Sequence, residues 1–175
     1  MPDSIAVREV STPIGALRVA STPRGIVRLA FPRATGKGFR GWLERHLPGA
    51  STVDWLPPLD KLAAELEEYF AGRRTAFTVP VDLRGTPFQR SVWQHLLEIP
   101  YGELRSYGQV ARKVGRPRAS RAVGAASGAN PVPILVPCHR VIASNGRLTG
   151  YGGGLNVKRK LLALERARLP QGSLL

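Results

Sequence analysis

The sequence predicts an α/β protein of two modules: an N-terminal α/β unit, residues 1–82, and a mostly helical C-terminal unit, residues 83–175, built around a helix-turn-helix. Three observations carry this. Short β-branched-rich runs recur about every ten residues at the start of the chain, the spacing of a β-meander. Capping-box patterns punctuate the second half, where two short helical runs are joined by a glycine-containing turn. The charge divides at the same place. Residues 1–82 carry 11 basic and 9 acidic side chains, whereas residues 83–175 carry 15 and 3.

In the first module Ile5–Val10, Gly15–Ala20 and Gly25–Phe31 read as strands separated by two Ser-Thr-Pro turns. One helix is expected to follow, with Asp60 as its N-cap, Leu62, Leu66 and Phe70 on one face, and Gly72 as its stop. His46 falls in a polar stretch and reads as an exposed loop residue. Nothing here carries chemistry, and the module reads as scaffold.

In the second module Thr86-Pro87-Phe88-Gln89 is a capping box with proline at the first helical position, and Phe88, Val92, Leu96 and Leu97 mark the apolar face. Ser106-Tyr107-Gly108-Gln109 repeats the pattern and opens a short helix with Val110 and Val114 inward. Gly115 and Pro117 end it, and an Ala/Gly-rich helix runs from Arg118 to about Gly128. That helix offers only Arg121 as a long projecting side chain. It suits either close packing against a neighbour or a smooth face approaching a minor groove. A last helix, about Asn156–Ala167, has Val157, Leu161 and Leu164 as its stripe, with Glu165 turned inward beside Leu161.

The formal net charge of +14 in 175 residues suits nucleic acid, an anionic membrane surface or an acidic protein partner. From Leu104 to Leu164 there are eleven Lys or Arg and no Asp or Glu, which points to a polyanion partner. One cysteine, Cys138, excludes an internal disulfide and any multi-cysteine metal site. With no signal-peptide pattern and no membrane-length apolar run, the chain reads as soluble and cytoplasmic.

Cys138 follows an apolar, proline-punctuated run, Asn130-Pro131-Val132-Pro133-Ile134-Leu135-Val136-Pro137, and precedes His139 and Arg140. A lone cysteine among apolar residues is commonly an inert core residue. Against that, nearby bases favour a thiolate, with Arg140 foremost. His139 is placed to take the thiol proton directly or through a water, and the prolines fix the approach. An imidazole base needs a partner for its second nitrogen, and beyond Glu103 the chain offers one acid, Glu165. An inward carboxylate near a helix C-terminus needs a cation, which His139 or an arginine would supply. The loop Thr149–Gly154 lacks the Gly-Lys-Ser/Thr ending of a phosphate loop and reads instead as a pocket wall with Tyr151 as a stacking face.

The segments NPVPILVPCHRVI, IPYGELRSYGQVA, RAVGAASGAN and LTGYGGGLNVKRKLLALE closely resemble those of the O6-alkylguanine-DNA alkyltransferases, densely over Gly85–Glu165. The resemblance implies a ribonuclease-H-like N-terminal domain and a winged-helix-like C-terminal domain. It implies binding of double-stranded DNA containing O6-alkylguanine through the minor groove, flipping of the damaged base, and irreversible transfer of its alkyl group, chiefly methyl, to the protein. By matching positions, Cys138 is the acceptor, His139 the water-linked base, Glu165 the end of the relay and Asn130 the hinge before the active-site strand. Tyr107 rotates the nucleotide's phosphate and contacts the flipped base, while Arg121 fills the vacated stack. Gln89, Arg116 and Ser144 touch the DNA backbone, and Val141, Tyr151 and Gly152 line the guanine pocket. No cofactor, metal, membrane or obligate protein partner is implied, and the protein is expected to be a monomer. Some relatives hold zinc in the N-terminal half, but one Cys and three His do not suit that site here. Several carry Ser at the position of Gly152. The alternatives are a non-catalytic damage-recognition or regulatory DNA-binding protein, which Cys138 opposes, and a cysteine hydrolase, for which no oxyanion-hole motif is visible.

Overall fold

The computed structural model describes residues 2–32 and 36–167. It divides into two compact units, Met1–Gly85 and Thr86–Leu175. Among the described residues no helix is long and apolar enough to cross a membrane.

The first unit is a four-stranded sheet of order β3-β2-β1-β4, comprising β1 (Ser4–Thr12), β2 (Gly15–Thr22), β3 (Gly25–Ala30) and β4 (Ser51–Thr52). The first three strands form the expected antiparallel meander, and β4 adds to β1 in parallel. One face is covered by α1 (Gly36–His46), whose Phe39 and Leu43 pack with Leu47 on Ile5, Ala20, Val27 and Ala30. Residues of the opposite parity, Ala6, Leu17 and Val19, are buried on the other face. There α2 (Pro57–Phe70) packs on β1, β2 and β3, with an Arg8–Asp60 ion pair at 2.6 Å.

Helix α1 corrects the sequence reading, which expected one helix in this half and put His46 in an exposed loop. His46 is half-buried in the last turn of α1, stacked on Trp42 with centroids 4.1 Å apart and bonded through Nδ1 to the Trp42 carbonyl. Three glycines in the helix hid it. Helix α2 starts earlier than expected. Pro57 and Pro58 occupy its first positions with Leu56 as N-cap, so Asp60 lies in the first turn, where a carboxylate favours the helix dipole. Tyr69 rather than Phe70 is its buried aromatic residue. Gly72, at φ +74°, follows the cap and ends the helix.

The second unit contains α3 (Pro87–Leu97), β5 (Arg105–Ser106), α4 (Tyr107–Lys113), α5 (Ser120–Gly128), a 3-10 turn (Cys138–Arg140), β6 (Val141–Ile142) and α6 (Leu155–Leu164). Both capping boxes form as read. Thr86 and Gln89 exchange bonds at α3, and Ser106 and Gln109 do so at α4. On α3 the buried face is Val92, Trp93 and Leu96; Leu97 is 40% exposed, because Trp93 takes the core position and donates to the Ala126 carbonyl of α5 at 2.8 Å. On α4, Ala111 is buried with Val110, and Val114 is only half-buried as the C-cap. Helix α5 resolves the two readings of its small residues by using both faces. Val123, Ala126 and Ser127 are buried, whereas Arg121, Ala122, Ala125 and Gly128 form a low exposed surface. The parallel β5–β6 pair brings the start of α4 beside the strand that follows Cys138.

Candidate active site

The segment 130–142 is buried throughout. Asn130 organises its turn. Its Nδ2 donates to the Val136 carbonyl at 2.8 Å and its Oδ1 accepts from the Val132 amide at 3.0 Å. Ile134 sits at φ +75° with 1% exposure, a backbone region that β-branched residues rarely adopt, so packing holds this turn in a strained form. The turn delivers Cys138 to the first position of the 3-10 turn with its amide bonded to the Val136 carbonyl at 2.8 Å.

His139 is fully buried, and its Nε2 lies 2.8 Å from Glu165 Oε1. Glu165 caps the C-terminus of α6 and is 2% exposed. The same carboxylate receives the Arg140 guanidinium as a fork, Nε to Oε2 at 2.8 Å and Nη2 to Oε1 at 2.9 Å. Arg140 Nη1 also donates to the Ile99 carbonyl at 2.6 Å. Burial alone would raise the Glu165 carboxyl, but His139 and Arg140 hold it down at about 2. An ionised carboxylate against Nε2 requires the proton on that nitrogen, leaving Nδ1 of the neutral ring as an acceptor. Nδ1 is buried with no hydrogen-bond partner among the described residues. Burial lowers the His139 pKa, and Arg140 and Lys158 push the same way against Glu165.

Arg140 therefore does not act as the sequence suggested. Its charge is committed to Glu165, and the cation bearing on Cys138 is Lys158, which the sequence reading missed. Lys158 is fully buried on α6 and donates to the carbonyls of Val141 at 2.7 Å and Thr149 at 3.1 Å. Burial lowers its pKa to about 8, opposed by the charge of Cys138. Burial pushes the Cys138 thiol up, while the Asn130 side chain and Lys158 pull it down. The expected stripe Val157, Leu161, Leu164 is instead Lys158, Leu161, Leu162. Glu165 held the clue, because a residue seven positions earlier shares its helix face.

Around this centre Tyr107 opens α4, its ring lies near Gly124 of α5, and its hydroxyl accepts from Thr149 Oγ1 at 3.4 Å. Lys158 thus ties β6 to the 149–154 loop, and Thr149 ties that loop to Tyr107. Val141 is buried, Tyr151 half-buried and Gly152 exposed. The turn before β5 buttresses α6. Tyr101 hydroxyl donates to the Leu164 carbonyl at 3.1 Å, and Gly102, at φ +80°, lies so close that a β-carbon would stand 3.0 Å from the Glu165 carbonyl.

The remaining predicted residues lie apart from the thiol. Arg121 is exposed near the start of α5, Ser144 is exposed in the turn after β6, and Arg116 is exposed in the helix-turn-helix with its guanidinium 5.4 Å from the Phe88 ring centroid. Gln89 uses its amide oxygen in the α3 cap, accepting from the Thr86 amide at 2.9 Å. Among the described residues Arg112, Lys113, Arg116, Arg118, Arg121 and Arg147 form no ion pair, and all six are exposed.

A buried cysteine flanked by a held imidazole and attached to a cationic helix-turn-helix defines a protein that brings a protected thiol to a polyanion. Residues 8–83 match the 6-O-methylguanine DNA methyltransferase, ribonuclease-like domain, and residues 87–167 match the DNA binding domain of the same family. The chain is 47% identical over 167 residues to the methylated-DNA–protein-cysteine methyltransferase of Mycolicibacterium paratuberculosis, covering 95% of each. It is 47% identical over 148 residues to the inducible one of Bacillus subtilis, covering 85% of this chain and 83% of that one. Its fold superposes on the crystal structure of Mycobacterium tuberculosis O6-methylguanine methyltransferase with a TM-score of 0.80 at 44% identity, covering 95% of this chain and 96% of that one. It also superposes on a Mycobacterium tuberculosis OGT in complex with DNA, at 0.78 and 43%, covering 96% of each. The chain belongs to the 6-O-methylguanine DNA methyltransferase family.

Proposed function

We propose that this protein repairs double-stranded DNA by flipping O6-alkylguanine, chiefly O6-methylguanine, and transferring the alkyl group to Cys138 in a single, irreversible turnover. The observation that carries this is the Cys138–His139–Glu165 arrangement: one buried thiol next in sequence to a buried imidazole whose Nε2 lies 2.8 Å from a carboxylate and whose Nδ1 has no hydrogen-bond partner among the described residues. Relatives named methylated-DNA–protein-cysteine methyltransferase at 47% identity over 95% of this chain support the substrate class.

The roles follow from charge and position. An alkylated guanine has lost its normal pairing, so extruding it costs less than extruding a paired base. Arg121 enters from the minor groove and fills the gap, on a helix face of small residues that lets the backbone approach. Arg116, Ser144 and the side-chain NH2 group of Gln89 contact the phosphates, and Tyr107 turns the target phosphate. Val141, Tyr151 and Gly152 receive the guanine. His139, through a water, takes the Cys138 proton, and Glu165 stabilises the ring as it gains charge. Asn130 holds the turn on which the thiol sits. The Cys138 sulfur attacks the alkyl carbon, the carbon–O6 bond breaks, and its electron pair stays on the guanine. Tyr107 supplies the guanine's proton, and the proton taken by His139 restores the balance without a co-reactant. The resulting thioether has no leaving group, so the protein is consumed. It works as a monomer in the cytoplasm, on the DNA.

Stoichiometry tests this. With excess O6-methylguanine duplex, repair is expected to stop at one methyl removed per protein chain. Repair continuing beyond one equivalent would instead favour a hydrolase.

A further inference from the structure

We propose that Arg140 is a positioning residue for this alkyl transfer: its fork on Glu165 neutralises and orients the carboxylate, so that His139 remains an uncharged base with Nδ1 open. The inference rests on the transfer reading above and concerns how its base is kept ready.

A carboxylate bonded to an imidazole and to nothing else draws a proton onto the ring, because an imidazolium–carboxylate pair is favoured once water is excluded. A base already protonated cannot accept from the thiol. Here both Glu165 oxygens are engaged by the guanidinium, at 2.8 and 2.9 Å, and Oε1 is shared with His139 Nε2 at 2.8 Å. Arg140 and Glu165 together carry no net charge, so protonating His139 would leave an excess positive charge in a site where His139 and Glu165 have fully buried side chains.

Lys158 acts on His139 in the same sense, and the remaining neighbours hold the arrangement in place. Lys158, from α6, adds a buried cation, and Cys138 is its neighbour in the 3-10 turn. Tyr101, from the turn before β5, places its ring 5.9 Å from the Arg140 guanidinium, and the Ile99 carbonyl takes Nη1 at 2.6 Å. These contacts fix Arg140 as well as satisfy it. The fork therefore decides both where the Glu165 oxygens point and how strongly they pull on the ring. Lysine at this position would keep the charge and lose the fork.

The test is a titration of His139 together with the pH profile of single-turnover methyl transfer. With three histidines, the His139 ring signal can be assigned by substituting His46 and His95. In the wild-type protein the ring should stay neutral at pH 7 and protonate below the ordinary histidine range. In Arg140→Gln the ring should gain its proton about one pH unit or more higher. The acid limb of the rate profile should move with it, so that at a given pH on that limb the rate falls about tenfold for each pH unit the limb moves and is recovered at higher pH. Arg140→Lys should keep the limb near its wild-type position with a lower plateau. A wild-type His139 already protonated at pH 7.5 would overturn the proposal, and this needs no variant to fold. So would an Arg140→Gln profile that is unmoved, or lowered equally at every pH, since a merely structural arginine does that. A wild-type protein that transfers no methyl would sink the activity itself, a failure the His139 titration distinguishes.

Discussion

The two units use arginine differently. In the first, several arginines are tied down, while Arg40, Arg45, Lys61 and Arg73 are exposed without an ion pair among the described residues. Arg8 pairs with Asp60, Arg24 and Arg84 share Asp3 and Asp82, and Arg74 bridges Glu65 and Glu68. Buried Glu65 also caps the returning chain, accepting from the Thr78 and Val79 amides and the Thr78 hydroxyl; these bonds outweigh its burial and keep its pKa low. In the second unit two acids are engaged, Glu103 by Arg105 and Glu165 by His139 and Arg140, and the helix-turn-helix arginines face solvent. Arginine therefore pairs with acids more often in the first unit and faces solvent more often in the helix-turn-helix of the second. Counting charge finds the imbalance, but pairing shows which cations a polyanion can use.

Glu165→Gln should give the largest effect. It leaves Arg140 buried without its counter-charge, a loss of about 3–5 kcal/mol, and removes the support of the base, slowing transfer by about 10²–10⁴-fold. Asp60→Asn, which breaks the solvent-exposed Arg8 pair in the scaffold, should leave stability nearly unchanged. Urea unfolding and single-turnover rates measure both, and equal stability losses would break the comparison. The same carboxylate contributes to acid stability. Its folded pKa of about 2 lies below the unfolded value of 4.5, so its contribution is fully present above the unfolded pKa. It is lost as pH falls through the folded one, on the order of 3 kcal/mol. Acid titration of stability should show this in the wild-type protein and not in Glu165→Gln.

Arg121→Ala should slow transfer from duplex DNA by about 10–100-fold, a few kcal/mol of lost compensation for unstacking. Transfer from free O6-alkylguanine base should be nearly unchanged, and equal losses on both substrates would remove Arg121 from the flipping step. The smallest effects belong to single phosphate contacts. Arg116→Ala should lower the salt slope of DNA binding by about one, and Arg8→Ala should leave it unaltered. A slope that falls equally with both would put the scaffold on the DNA.

Legibility in the sequence followed how local the cause was. Thr86–Gln89 and Ser106–Gln109 carry their own reciprocal hydrogen bonds, so the starts of α3 and α4 were readable from four residues each. The meander was readable from its turns. Helix α1 was not, because its glycines oppose helix and only packing of Phe39 and Leu43 on the sheet stabilises it. Cys138, His139 and Glu165 were readable from a lone thiol, its neighbour and the isolated acid. The partners were not. Arg140 looked like a thiolate-stabilising cation, but it bonds a residue 25 positions away. Lys158 was not singled out at all, although the inward position of Glu165 implied its burial.

The most direct measurement is peptide mass spectrometry of the protein after reaction with an O6-methylguanine duplex, with Cys138→Ala as control. The expected result is one added methyl on the peptide containing Cys138, matched by loss of methyl from the DNA, and no repair by the variant. Fully repaired DNA beside an unmodified Cys138 peptide would contradict it.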